Sequence, residues 1–96
     1  MIAEIDWTWD GCKIHDRIRG LNPRPLAFFT GLGQKRRVER SRLGGRYAQK
    51  AVPGSLLTVR DAGRMAEVVC GDGRIIELFG IDPGLNTDNS VGTTLR

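Results

Sequence analysis

The chain holds one histidine, His15, three residues after Cys12, and any reactive centre would have to start from that pair. On a helix this spacing brings a thiol and an imidazole to one face, the raw material of a thiolate–imidazole nucleophile or of half a zinc site. Zinc needs further His, Cys or carboxylate ligands, and no second pair follows at ligand spacing. A Ser-His-Asp set cannot be assembled either, because the lone His15 would have to be its base. Gly31-Leu32-Gly33 begins like a dinucleotide-binding loop but lacks the third glycine and the helix after it. Gly71-Asp72-Gly73 leads into no helix, and its glycines are those of a turn. The acids are scattered, with no pair placed for acid–base work. The residues themselves therefore supply no catalytic group and no metal site, and His15 reads as a surface imidazole beside a packed thiol.

Binding chemistry is better represented. Residues 13–50 hold eleven Lys and Arg against Asp16 and Glu39, a balance of +9, whereas the other positions hold four Arg against nine acids, −5. Such a block sets up a field that favours an anionic partner: RNA, a phosphorylated ligand or an acidic protein face. The alternative is a basic surface that only solvates a small domain. The candidates are Lys35, Arg36, Arg37, Arg40 and Arg42, extended by Arg24, Lys13 and Arg17. Phe28 and Phe29 are adjacent on an expected strand and so point oppositely. One belongs in the core, and the other either stacks on a base or packs on a neighbour.

The elements that must carry these residues follow from pattern. Asp10 is a good N-cap, Ile14, Ile18 and Leu21 share one helical face, and Gly20 or Asn22 can take a left-handed C-cap before Pro23 stops the helix. The helix is expected at about 11–20. "PLAFFTG" reads as a strand, "GLGQ" as a turn and "KRRVERSRL" as its charged return strand. "SLLTVR", "MAEVVC" and "RIIELFGI" supply three more strands, the last two joined by the Gly71-Asp72-Gly73 hairpin turn. From Asp82 little remains to bury, so a flexible tail is expected over 82–96. The prediction is a mainly β domain over 1–81, a small antiparallel barrel of the oligonucleotide-binding type with five to six strands and one leading helix.

Ninety-six residues suit a single core. No apolar run approaches the roughly 18 residues of a membrane span, and the acidic start lacks the basic region of a secretory signal. A cytoplasmic protein is expected, with no membrane partner and with Cys12 and Cys70 as reduced, buried thiols.

In order along the chain stand I-D-W (5–7), I-H-D-R-I-R-G-L-N-P-R-P (14–25), the aromatic strand of Phe28 and Phe29, R-V-x-x-S (37–41), P-G-S-L (53–56) and V-V-C-G-D-G (68–73). This series resembles the C-terminal domain of the formyltransferase family, typified by methionyl-tRNA formyltransferase, over about residues 3–80. The resemblance implies a small barrel with a leading helix, which matches the pattern reading. It also implies a reason for Asn22-Pro23-Arg24-Pro25: a stiff corner between the helix and the first strand, since Pro23 and Pro25 each fix φ and bias the residue before them toward extended geometry. Two departures stand out. Arg24 replaces the family's usual Trp between the prolines, and "FGIDPGLN" lacks the family's Gln and Gly-Lys pair.

Formyl transfer in that family uses an Asn-His-Asp set and a His-x-Ser-Leu-Leu-Pro motif in a Rossmann-like N-terminal domain, and neither is found in these residues. The resemblance thus implies a non-catalytic domain that binds or positions a substrate, with tRNA as one anionic candidate, for a catalytic domain on the same or a separate chain. 10-Formyltetrahydrofolate is expected only in that partner domain, and no cofactor is expected here. The alternatives are a docking module for a formyltransferase acting on a sugar nucleotide or carrier-bound amino acid, and a free-standing nucleic-acid-binding barrel.

Overall fold

The computed structural model describes residues 4–22, 24, 26–31, 33–48, 50–85, 94 and 95. Helix α1 runs over Gly11–Leu21, β1 over Ala27–Gly31, β2 over Gln34–Val38, β3 over Arg40–Tyr47, β4 over Leu56–Arg60, β5 over Met65–Val69 and β6 over Arg74–Phe79. The domain is mainly β with one leading helix, as its patterns require. Its strands form two antiparallel sheets, β1-β2 and β3-β6-β5-β4. They do not close into a barrel, because the basic stretch expected to be one return strand is two: β2 pairs with β1, the chain leaves both ladders at Glu39, and β3 pairs with β6.

α1 is placed by both its ends. The Asp10 carboxylate accepts the Lys13 amide at 2.8 Å, satisfying one of the open donors of the first turn. Ile14, Ile18 and Leu21 face the core, with Gly11 buried beside them. A Cβ on Gly11 would stand 2.8 Å from the Leu43 side chain, so the helix start lies flush on β3. Neither residue proposed for a left-handed cap adopts it: Gly20 is helical, and Asn22 is extended at φ −84, ψ 134, the geometry favoured before a proline. Asn22 still acts as a joint, since its Nδ2 donates to the Glu39 carbonyl at 2.7 Å. Pro23 and Pro25 lie outside the described residues. The reversal into β1 falls on Leu26, at φ 64, whose amide returns to the Leu21 carbonyl.

Ile5, Trp7, Ile18, Phe29, Ile76 and Leu78 are central to the core between helix and sheets. Trp7 packs edge-on against Phe29, with ring centroids 5.8 Å apart. The Gly71-Asp72-Gly73 turn does more than reverse the chain. The Asp72 carboxylate accepts the amides of Gly11 and Arg74, and the Gly71 amide donates to the Trp9 carbonyl at 2.7 Å, so the hairpin grips the helix entry. The expected flexible tail is corrected at its described ends. Arg37 and Asp82 exchange both backbone hydrogen bonds, the Leu85 amide donates to Gly63, and the Leu95 amide donates to Gly54, with Leu95 in the core. Apolar residues at 85 and 95 are what hold these ends down.

Cys70 is buried and Cys12 exposed, so the expectation of two packed thiols fails for Cys12, which lies on the outward face of α1. Burial first, then the Asp72 and Asp10 charges, push the Cys70 thiol up to about 12. One thiol should therefore react rapidly with a maleimide in the native protein and the second only after unfolding, a count readable by mass spectrometry. Gly71 gives a sharper prediction. A Cβ there would sit 1.9 Å from the Thr8 carbonyl oxygen, so Gly71→Ala should destabilise by roughly 3 kcal/mol or more, seen as a lower urea midpoint.

Candidate anion-binding surface

The proposed cations are sorted by strand parity. In β2, Arg36 and Val38 point inward while Lys35 and Arg37 are exposed; in β3, Arg40 and Arg42 are exposed while Ser41 and Leu43 face α1. Unbroken alternation would have put 36, 38, 40 and 42 on one face. The break at Glu39 resets the phase, so Lys35, Arg37, Arg40 and Arg42 all reach solvent along one run of backbone.

Arg36 leaves the candidate set. It is 5% exposed, and its guanidinium donates to the carbonyls of Gly31 at 2.9 Å, Pro83 at 3.1 Å and Gly84 at 2.7 Å. It is a staple between the β1–β2 hairpin and residues 83–84, with Nε and Nη1 donating to backbone oxygens. The signal was in the sequence: Val38 must be inward, and period two carries that orientation to position 36.

Acids stand against the basic block, Glu67 and Glu77 brought there by folding and Glu39 from within the block itself. Arg42 stands 4.0 Å from Glu77, Arg40 3.8 Å from Glu39, and Arg46 pairs with Glu67. Glu67 and Glu77 are cross-strand partners on β5 and β6; facing carboxylates repel, and the two arginines of β3 relieve that. Asp82 lies beside Arg37 in their bridge. Arg40 and Arg42 nevertheless keep 71% and 77% of their side-chain surface exposed. Pairs so exposed contribute on the order of 1 kcal/mol or less and exchange readily for another anion.

The extensions are placed differently. Arg24 is exposed beyond the helix end. Lys13 and Arg17 lie over the ring of half-buried Trp9, at 4.6 and 5.1 Å from its centroid, and Lys35 lies over Phe28 at 4.2 Å. Phe29 is the core member of the aromatic pair and Phe28 the outward one. Trp9 was missed as a surface element because its sequence neighbours mark it only as helix entry. It lines a cleft of about 460 Å³ with Glu4, Asp6, Trp7, Thr8 and Arg17. The Asp6 carboxyl is held below its ordinary value by hydrogen bonds from the Thr8 hydroxyl and amide.

Cys12 and His15 do not form a reactive pair. The His15 Nδ1 meets the Ser41 hydroxyl at 2.6 Å, and the Cys12 sulfur accepts from Arg74 at 3.5 Å. Among the described residues no group of three His, Cys, Asp or Glu is placed to hold a metal ion, and no helix is long and apolar enough to cross a membrane.

Comparison with known proteins identifies the family. The family described as formyl transferase, C-terminal domain, matches residues 2–83, and the chain belongs to it. A methionyl-tRNA formyltransferase from Methylobacterium sp. (strain 4-46) is 40% identical across 76% of this chain and 22% of its own length. One from Methylobacterium nodulans is 36% identical across 98% of this chain and 29% of its own. The chain thus spans between about a fifth and a third of the relatives it matches. The crystal structure of HypX from Aquifex aeolicus, in complex with tetrahydrofolic acid, superposes with a TM-score of 0.62 at 21% identity, over 79% of this chain and 13% of that one; this likeness shows the fold.

Two predictions follow from the geometry. Arg36→Ala abandons three carbonyls and should lower stability by roughly 2–4 kcal/mol, whereas Arg37→Ala should stay within about 0.5 kcal/mol; paired urea melts decide. His15 is held below its ordinary value by partial burial and then by Arg19, so the unfolded chain takes up its proton first as pH falls. The stability gained from the neutral imidazole is fully present above the unfolded value near 6.5 and is lost as pH drops through the lower folded one. His15→Gln should flatten melting temperature against pH in that window.

Proposed function

We propose that this domain is the non-catalytic, substrate-positioning part of a 10-formyltetrahydrofolate-dependent formyltransferase, holding an anionic substrate of the tRNA type for a catalytic domain. The observation that supports the reading is the phase reset at Glu39, which leaves Lys35, Arg37, Arg40 and Arg42 each exposed. Arg24 and Lys13 add exposed positive charge at the helix. The relatives' name, methionyl-tRNA formyltransferase, supports tRNA as the polyanion. The formyl donor and the bond-making residues belong to the catalytic domain, whose motifs lie outside these residues.

A docking role has its own support in two large apolar side chains held at the surface, Tyr47 at 58% and Val52 at 60% exposure. A face packing on a catalytic domain would cover them.

The deciding measurement is tRNA binding across a salt series. The wild-type affinity should fall steeply with salt, and a Lys35→Ala/Arg37→Ala/Arg40→Ala/Arg42→Ala variant should bind weakly, with a log–log slope shallower by about 0.9 for each phosphate contact removed. Unchanged binding in that variant would reject the reading.

A further inference from the structure

The reading above leaves open how a polyanion meets this surface, and the aromatic residues bear on that. Trp9 and Phe28 are both half-buried, and each carries lysine or arginine side chains over its ring: Lys13 and Arg17 on Trp9, Lys35 on Phe28. The two rings flank one segment. Glu4 bridges in parallel to Phe28 and also lines the cleft that contains Trp9. The core has no need of a polar cover on these rings, because Phe29 and Trp7 fill the inward positions.

The charges around the rings discriminate between ligands. Glu4, Asp6 and Asp16 border this region, Asp82 lies beside Arg37, and Asp6 is close enough to Lys13 for that charge to act on it. Carboxylates at the foot of an aromatic cleft repel a phosphate backbone laid flat across it, as a duplex would present. They do not repel the uncharged face of a base. A cation resting on an exposed ring is held weakly, whereas base–aromatic stacking is the stronger contact, and the displaced ammonium or guanidinium then has a phosphate to neutralise.

We propose, resting on the anionic-substrate reading, that the ligand engages this face as single-stranded nucleic acid, with unpaired bases stacking on Trp9 and Phe28 while Lys13, Arg17 and Lys35 turn from the rings to its phosphates. Each platform is a ring with its own counter-charge stored on it, and the bound strand exchanges one for the other.

The test compares a labelled 12-nucleotide single-stranded RNA with a 12-base-pair RNA duplex by anisotropy, alongside intrinsic fluorescence, in which Trp9 is the less buried of two tryptophans. The single strand should bind more tightly than the duplex and quench the fluorescence. Trp9→Leu and Phe28→Leu should each weaken single-strand binding roughly tenfold with the salt slope unchanged. Lys35→Ala should leave the stacking and make the slope shallower by about 0.7. Phe28→Leu retains an apolar strand residue, so it keeps the test decisive if Trp9→Leu does not fold. Tighter duplex binding with both leucine variants unaffected overturns the stacking and leaves the anionic-substrate reading standing. Phe28→Leu that spares RNA binding but loses a catalytic-domain contact overturns it in favour of a protein partner. No salt-dependent binding of any RNA overturns both.

Discussion

The backbone at Glu39 is the joint on which the molecule depends. Its amide donates to Phe79 at the end of β6, its carbonyl accepts the Asn22 side chain at the end of the helix, and its own side chain leaves no room for a Cβ on Gly80. Helix, hairpin and four-stranded sheet are thereby fixed to one residue. The break in strand phase is a direct consequence, since one residue outside both ladders shifts the side-chain period by one. Without it the basic stretch would drive Arg40 and Arg42 toward the helix, where Ser41 and Leu43 now sit.

Charge in this domain has two separate fates. Arg36 is withdrawn from solvent and surrounded by carbonyl oxygens, and a desolvated guanidinium in that setting serves rigidity. The exposed arginines of β3 instead lie beside acids contributed by β6, β5 and the Glu39 joint. The net +9 of residues 13–50 is therefore a property of the sequence segment and not of a surface. The folded face alternates sign at short range, and selectivity on such a face comes from where the cations stand.

Much of this was legible beforehand. The helix could be read because Asp10 and the Ile14, Ile18 and Leu21 spacing agree, and the β5–β6 hairpin because Gly71-Asp72-Gly73 sits between two apolar runs. The ordered motifs identified the family. What escaped were effects of tertiary partners. "KRRVERSRL" contains no glycine or proline to mark its break, which is imposed by Phe79 and Asn22 from elsewhere in the chain. Arg36 looked like its neighbours because residue type alone does not reveal that Pro83 and Gly84 would bring carbonyls to it. Trp9 is covered by Lys13 and Arg17, one and two helical turns further along the chain.

The C-terminal docking carries a wider meaning for where this unit stops. The family match closes at residue 83, yet Leu95 is 4% exposed and its backbone lies so close to Gly54 that a Cβ there would be 2.6 Å from the Leu95 oxygen. The packed core therefore reaches past the last residue of the family match. Trimming the protein to its recognisable motif would uncover apolar surface beside Trp7 and Phe29, and a fusion partner attached at Leu95 would pull on the hydrophobic interior.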